Sequence, residues 1–149
     1  MQVRDIMTAS PVTCTPETSL AIAASRMAEA ECGILPVVNE RRNLVGVITD
    51  RDICLAVSRT HRNAVSISVR EVMTRKVVSV GPADDMRRAL ALMRSASVRR
   101  VPVVDDAGSI IGLLSIDDVI VRVSPLDDVG RREIVETLHD VAARRRRAA

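Results

Sequence analysis

The apolar positions of this chain follow two periods, and the change from one to the other recurs along the sequence. Leu20, Ala23 and Met27 lie three or four residues apart, as on one face of an amphipathic helix. Two runs rich in β-branched residues follow at 35–38 and 44–49, with a polar turn between them. This pattern predicts a helix followed by a pair of strands.

The same succession returns in the second half of the chain. A shift of 66 residues lays 3–57 over 69–123 without a gap, and 15 of the 55 pairs are identical. Self-similarity over this length indicates one supersecondary unit used twice, and it predicts that the two copies bury their apolar faces together. The identical pairs include Met7 and Met73, Thr8 and Thr74, Met27 and Met93, Pro36 and Pro102, Gly46 and Gly112, and Asp52 and Asp118.

Each copy opens with a Met-Thr element and a short apolar stretch, at 12–14 and at 78–80. A proline and a cluster of acidic or hydroxyl residues then precede the first helix and can cap it. A second helix is predicted to begin after Thr49 and after Ser115. The predicted order is therefore β-α-β-β-α, twice, which is a mixed α/β (α+β) fold of two pseudo-symmetric repeats.

The remaining segments form a linker and a C-terminal extension. A further helix is predicted from Asp127 to about Ala143, because Ile134, Leu138 and Val141 fall on one stripe. This helix can cover a core edge or form a subunit contact, and the sequence leaves both open. The predicted boundaries are 1–58 for repeat 1, 59–68 for the linker, 69–124 for repeat 2, and 125–149 for the C-terminal helix with its arginine-rich tail.

The composition is that of a globular domain, with 149 residues of which 47% are apolar. Apolar runs last about five residues, well below the roughly 20 that cross a bilayer, and no secretory signal opens the chain. A cytoplasmic protein without a membrane segment is expected. Cys14, Cys32 and Cys54 fit neither a disulfide framework nor a zinc site, and they are predicted to be reduced and mostly buried.

The net charge of +3 comes from arginine, since Lys76 is the only lysine, and much of the excess lies at 144–147. Such a tail suits an acidic or phosphate-bearing partner, although a solvated helix end is its commoner meaning. The chain has no Phe, Tyr or Trp, so it lacks the stacking surfaces of single-strand binders. Binding of nucleic acid is disfavoured.

One motif ends the second strand of both copies: Gly, two apolar residues, Thr or Ser, two variable residues, then Asp. It runs from Gly46 to Asp52 and from Gly112 to Asp118. Taken alone, a hydroxyl residue followed three positions later by an acid indicates a capping box. The same groups also suit a ligand, because a carboxylate can accept two ribose hydroxyls and glycine permits close approach of backbone to ligand. The two roles are compatible.

Together with the repeat length, three motifs in register in both copies resemble a CBS-domain pair, the Bateman module, over roughly residues 1–124. They are the opening Arg-Asp-Ile-Met-Thr and Arg-Glu-Val-Met-Thr, the strands Leu-Pro-Val-Val-Asn and Val-Pro-Val-Val-Asp, and the two Gly-x-x-Thr/Ser-x-x-Asp ends. The resemblance implies two pseudo-symmetric clefts between the repeats. Each would hold AMP, ADP, ATP, S-adenosylmethionine or a related ligand, with or without magnesium.

The resemblance also implies which residues line each cleft. The Asp118 cleft would use Ser115, Asp118, Arg99 and Arg100, with Ala9, Cys32, Gly33 and Ile34 near the base of the nucleotide. The Asp52 cleft would use Thr49, Asp52, Val98 and Arg99.

The two clefts differ in charge. Where the second copy has Arg99 and Arg100, the first has Gly33 and Ile34. A phosphorylated nucleotide should therefore prefer the Asp118 cleft, and the other cleft should be weaker, empty or suited to a less charged adenosyl compound. The alternative for the two arginines is a solvated strand edge.

Catalysis is not expected. His61 and His139 each lie alone in their segments, and the acidic pairs are adjacent in sequence, so their side chains diverge. Neither a catalytic site nor a metal site is predicted. The predicted function is a regulatory sensor that signals through a homodimer or an effector protein, and the alternative is a protein- or nucleic-acid-binding adaptor acting through the arginine-rich tail.

Overall fold

The computed structural model describes residues 1–123 and 128–147, and the side chains at 128, 129 and 145–147 are not among those described. The chain divides into two compact units that do not follow the order of the sequence. Unit 1 combines Met1–Ser10 and Val78–Asp106 with the described residues from Ile111 onwards, and unit 2 combines Pro11–Val77 with Ala107–Ile110.

The secondary structure confirms the predicted mixture of helices and strands, and two short 3-10 segments accompany it at Val3–Asp5 and Ala64–Ser66. In chain order the elements are β1 (Thr8–Ala9), α1 (Leu20–Glu29), β2 (Ile34–Val38), β3 (Leu44–Thr49), α2 (Asp50–Thr60), α3 (Val69–Val72), α4 (Met86–Ala96), β4 (Arg100–Val104), β5 (Ile110–Ser115), α5 (Ile116–Arg122) and α6 (Asp128–Arg147).

The first helix of each repeat begins at a side-chain cap. Ser19 accepts a hydrogen bond from the backbone N–H of Ile22 at 3.3 Å, and Asp85 accepts one from Arg87 at 2.9 Å. Both caps satisfy a backbone donor that has no partner within the helix. The predicted apolar stripe of each helix is buried, as Leu20, Ala23 and Met27 in α1 and as Met86, Ala89, Leu90 and Met93 in α4.

The strands form two small sheets. In unit 2, β2 pairs antiparallel with β3, and Ile34 lies opposite Thr49. The other sheet has the order β1-β5-β4, in which β1 pairs antiparallel with β5. The short apolar stretches predicted as strands at 12–14 and 78–80 form only single bridges, from Cys14 to Val37 and from Val80 to Val103. Cys14 and Val80 each donate one backbone hydrogen bond to the neighbouring strand and accept one from it, but the next donor position is Pro16 or Pro82, which has no N–H to continue the ladder.

The opening segment of each repeat belongs to the unit built mainly from the other repeat. In unit 1, the Val3 N–H donates to the Asp84 carbonyl at 2.9 Å. In unit 2, the Val69 N–H donates to the Thr18 carbonyl at 2.8 Å. Val69 lies 66 positions after Val3, and Thr18 lies 66 positions before Asp84, so the same exchange occurs twice. We call residues 1–10 and 67–77 the exchanged arms.

Each unit has its own hydrophobic core. The core of unit 2 includes Leu20, Leu35 and Ile48, and the arm residues Ile67 and Val69 are buried with them. The core of unit 1 includes the equivalent positions Met86, Val101 and Leu114, and the arm residues Val3, which is equivalent to Val69, and Ile6 are buried with them. Because the chain has no Phe, Tyr or Trp, aliphatic side chains and methionine fill both cores, together with Cys14 in unit 2.

The C-terminal helix α6 packs on α4 within unit 1, so it covers a core edge. Ile134, Thr137 and Val141 are buried on its inner face. Arg94 of α4 lies 3.3 Å from Glu136 of α6, which adds an ion pair. The helix continues to Arg147, beyond the predicted end near Ala143. No helix among the described residues is long and apolar enough to cross a membrane.

Candidate functional site

The Gly-x-x-Thr/Ser-x-x-Asp motif forms a capping box at the start of α2. The hydroxyl oxygen of Thr49 accepts from the Asp52 N–H at 3.2 Å. Its backbone N–H and its hydroxyl both donate to Asp52 Oδ2, at 2.9 Å and 2.7 Å. Thr49 has the extended backbone that a helix cap requires, with φ −116° and ψ 161°.

The start of α5 repeats this geometry. The Ser115 hydroxyl oxygen accepts from the Asp118 N–H at 3.1 Å, and the Ser115 N–H and hydroxyl each donate to Asp118 Oδ2 at 2.7 Å. The capping role that the motif predicts is therefore present in both copies.

Each capping box leaves one carboxylate oxygen of its aspartate without a hydrogen-bond donor from the described residues. Among the described residues, Oδ2 is the only oxygen of Asp52 and of Asp118 that accepts a hydrogen bond, so Oδ1 remains available in both. The single hydroxyl proton of Thr49 or Ser115 is already donated to a carboxylate. A phosphate can only accept, so binding one at the hydroxyl requires that proton to turn away from the carboxylate. A ribose diol can donate to Oδ1 with the cap intact.

The residues before the first sheet strand lie directly beside each helix start. The Arg99 carbonyl accepts from the Ile116 N–H at 2.9 Å, and the Gly33 carbonyl accepts from the Asp50 N–H at 3.2 Å. Arg99 and its neighbour Arg100 are exposed, so both guanidinium groups are accessible from solvent. The positions at which the two predicted clefts differ in charge, Arg99 and Arg100 in one and Gly33 and Ile34 in the other, therefore lie next to the capping boxes.

The flanking residues of the predicted site lie as follows. Ala9 pairs with Gly112 of β5, on the strand that leads to Ser115. Val98 is half-buried, and its N–H closes the end of α4 by donating to the Met93 carbonyl at 3.0 Å. In unit 2, the half-buried Cys32 donates its thiol to the Ile34 carbonyl at 3.4 Å.

The predicted site residues thus fall into two groups, which we call half-sites. Unit 1 holds Ala9, Val98, Arg99, Arg100, Ser115 and Asp118, and unit 2 holds Cys32, Gly33, Ile34, Thr49 and Asp52. The combination of residues from both units into common clefts stays a prediction.

The two motif glycines have a structural role that the sequence did not indicate. A Cβ on Gly46 would lie 2.9 Å from the Thr74 carbonyl oxygen and 3.1 Å from Met73 Sδ. A Cβ on Gly112 would lie 2.3 Å from Met7 Sδ. Each glycine therefore makes room for the Met-Thr element of an exchanged arm, and this packing accounts for glycine without any ligand.

Two grooves in unit 2 lie beside the helix start of α2. One of about 430 Å³ lies between α1 and α2 and includes Cys32, Gly33 and Asp50 among its lining residues. The other, of about 370 Å³, includes Asp52 and continues along α2 to Arg59. Asp52 is therefore not sealed inside the protein. Sequence reasoning missed Arg59, although its position seven residues after Asp52 places it on the same side of the helix.

The histidines and the arginine-rich tail were the other candidate groups. His61 and His139 are both exposed, and the His139 ring nitrogen Nδ1 lies 3.2 Å from Oδ1 of the neighbouring Asp140. Among the residues that the structure describes, no cluster of His, Cys, Asp or Glu side chains could hold a metal ion. The first arginine of the tail, Arg144, donates to the Ser95 carbonyl at 2.9 Å, and the side chains of 145–147 lie outside the described residues.

The prediction that the cysteines are mostly buried is wrong in part. Cys14 is buried, and burial raises the pKa of its thiol to about 11. Cys32 is half-buried, whereas Cys54 is exposed because it lies on the outer side of α2. All three are free thiols.

Comparison with known proteins gives a family and a fold. The CBS domain model matches residues 3–59 and 69–124. The CBS domain-containing protein YhcV of Bacillus subtilis is 35% identical over 120 residues, which cover 80% of this chain and 84% of YhcV. Longer curated relatives include enzymes, and the chain spans only 21% to 30% of their length. Across all the relatives compared, the chain spans between 21% and 84% of the relative's length.

Solved structures of similar fold include complexes with adenosyl ligands. The CBS-domain pair of protein MJ0100, in complex with 5′-methylthioadenosine and S-adenosyl-L-methionine, has a TM-score of 0.74 and 28% identity, covering 80% of this chain and 93% of that one. CBSX2 of Arabidopsis thaliana, in complex with AMP, has a TM-score of 0.69 and 29% identity with the same coverage. With both repeats matched by the family model, the chain belongs to the CBS-domain family.

Proposed function

We propose that this protein is a regulatory module that binds an adenosine-type ligand, namely AMP, ADP, ATP or S-adenosylmethionine. The observation that carries the proposal is the duplicated helix start. In both copies a half-buried aspartate keeps Oδ1 available while its cap holds the carboxylate in place. The solved complexes of MJ0100 and CBSX2 support an adenosine-type ligand for this fold.

The ribose is the part of the ligand that these groups suit best. Its vicinal hydroxyls donate to Oδ1 of Asp52 or Asp118, whereas the hydroxyls of Thr49 and Ser115 already donate within the caps. The proposal assigns repeat 1 to residues 1–58 and repeat 2 to 69–124, with 59–68 as the linker.

The half-site of unit 1 is proposed to take the phosphorylated nucleotides. Arg99 lies next to the Ser115 cap, and Arg100 follows it at the start of β4. Guanidinium groups bind phosphate in a bidentate manner, which the backbone at Gly33 and Ile34 cannot imitate. Magnesium would be held mainly by the phosphates of such a ligand.

Calorimetric titration with adenosine, AMP and ATP tests the proposal. Arg100→Ala should weaken ATP binding more than adenosine binding, because adenosine has no phosphate to lose. Arg41→Ala, which removes an exposed arginine from the β2–β3 turn, is the charge-matched control and should leave both affinities unchanged. Equal losses for ATP and adenosine in Arg100→Ala would contradict a phosphate role.

The output of the module is proposed to pass through a homodimer or an effector protein in the cytoplasm, without catalysis by this chain. A ligand can shift an assembly only by its differential affinity for the two states. Light scattering after size-exclusion chromatography, with and without saturating ATP, measures that shift. An unchanged mass at all ligand concentrations would leave the effector protein as the route.

A further inference from the structure

A groove of about 370 Å³ runs along α2 within unit 2, which is a volume suited to part of a small ligand. Because an α-helix has 3.6 residues per turn, the positions three, four and seven after Asp52 share its side of the helix. These positions are Leu55, Ala56 and Arg59, and all of them line the groove. The other lining residues are Thr60, Arg62, Ile67, Glu71 and Val72.

The two arginines of this groove are not equivalent. Arg62 donates to Glu71 Oε2 at 2.8 Å and also to the Ser66 carbonyl. The hydrogen bond from Arg62 lowers the pKa of Glu71, which therefore stays ionised at neutral pH. Arg59 forms no side-chain hydrogen bond and no ion pair with any residue that the structure describes. Its guanidinium is the one in the groove that remains available to an anion.

The space between Asp52 and Arg59 is apolar. Leu55 and Ala56 lie between them on α2, and the two residues are about 10.5 Å apart along the helix axis, from seven steps of 1.5 Å. A polyphosphate placed here would lose water against apolar side chains while facing the carboxylates of Asp52 and Glu71. A neutral aliphatic chain suits this surface better.

We propose that the groove binds an adenosyl compound whose 5′ substituent is an aliphatic chain ending in a single carboxylate. The ribose hydroxyls donate to Asp52, the chain lies over Leu55 and Ala56, and the carboxylate pairs with Arg59. This inference rests on the proposed function, in which Asp52 holds the ribose. Arg59 would give the Asp52 half-site a positive charge of its own, which Gly33 and Ile34 do not supply.

Two thioether compounds test the contribution of the tail separately from that of the nucleoside. S-adenosylhomocysteine and 5′-methylthioadenosine share the adenosine and the sulfur, and only the former has the aminocarboxylate tail. Calorimetric titrations are made in Asp118→Asn protein, so that the other half-site is weakened. We expect S-adenosylhomocysteine to bind about 5- to 10-fold more tightly, as one partly exposed carboxylate–guanidinium pair allows.

Arg59→Gln should abolish this preference and leave the affinity for 5′-methylthioadenosine unchanged. Arg51→Gln is the matched control, since Arg51 is exposed on the same helix and does not line the groove. Arg51→Gln should keep the full preference.

The possible results separate this inference from the proposed function. If neither thioether binds while AMP or ATP binds the parent protein, the inference fails and the proposed function stands. If none of these four compounds binds, both fail. If both bind with equal affinity, the adenosine site stands and the assignment of Arg59 is overturned. A preference that survives Arg59→Gln, or that Arg51→Gln removes equally, also overturns it.

Discussion

Replacing Gly46 by alanine tests whether the motif glycine exists for the fold or for a ligand. The added Cβ would meet the Thr74 carbonyl oxygen at 2.9 Å and Met73 Sδ at 3.1 Å. The sulfur ends a flexible side chain and can move. The carbonyl cannot move freely, because the Val47 N–H donates to it at 3.0 Å.

The expected cost follows from overpacking a tight site. Forcing one extra methyl group into a well-packed interior costs about 1–3 kcal/mol. For a protein of this size, that corresponds to a fall in Tm of about 2–12 °C. Gly112→Ala should cost less than Gly46→Ala despite its shorter contact of 2.3 Å, because its nearest atom is the mobile Met7 Sδ.

Urea denaturation followed by circular dichroism measures the free energy of unfolding of each variant. Gly81→Ala is the matched control, since its Cβ would have only an ordinary contact, at 3.7 Å from Asp84 Oδ2. Titration of folded Gly46→Ala protein with adenosine should give the affinity of the parent protein. If Gly46→Ala is as stable as Gly81→Ala, or loses adenosine binding while remaining stable, the packing explanation is refuted.

Three further predictions concern single side chains. Asp118→Asn should lower the free energy of unfolding by about 1 kcal/mol in urea denaturation, because a neutral amide oxygen accepts the hydrogen bonds of the capping box more weakly and removes the negative charge from the helix start, and an unchanged midpoint would argue against that cap. Exposed Cys54 should react with a thiol reagent in the native protein, whereas Cys14 should react only on unfolding, because burial raises the pKa of its thiol to about 11. Mass spectrometry of labelled peptides distinguishes the two residues, and labelling of Cys14 in the native protein would contradict its burial. Because Arg62 lowers the pKa of Glu71, their pair stabilises the fold above the ordinary pKa of glutamate, and this contribution is lost as pH falls through the lowered pKa. In Glu71→Gln protein, the free energy of unfolding should therefore depend less on pH in the acid range. A dependence identical to that of the parent protein would refute the pairing.

The helices and the strand pairs were predictable because their residues repeat at regular intervals. Leu20, Ala23 and Met27 mark one face of α1, and the strand Leu44–Thr49 has the predicted bounds, which the shift of 66 carries to Ile110–Ser115. These features depend on neighbours in sequence, which periodicity reports directly.

The exchanged arms were not predictable, since pairing partners far apart in sequence leave no local pattern. The identity of Met7 and Met73 shows that the two residues have the same role. It does not show in which half of the chain each one is buried. For the same reason Gly46 was attributed to close approach of a ligand, whereas the group that approaches is the Thr74 carbonyl.

The candidate site was predictable only in part. The capping boxes follow from a spacing of three residues, and their hydrogen bonds are present at Thr49 and Ser115. The groove from Asp52 to Arg59 depends on how α3 packs beside α2, which the sequence of α2 alone does not specify.

Because of the exchanged arms, neither repeat can form its complete core when it is expressed without the other. A fragment ending near residue 62 would carry residues 1–10, whose partners lie in unit 1, and it would lack 67–77, which complete the core of unit 2. Expressed alone, it would expose the surface that Ile67 and Val69 normally cover. A chain nicked at the linker would instead keep both fragments bound to each other, because each completes the other's core.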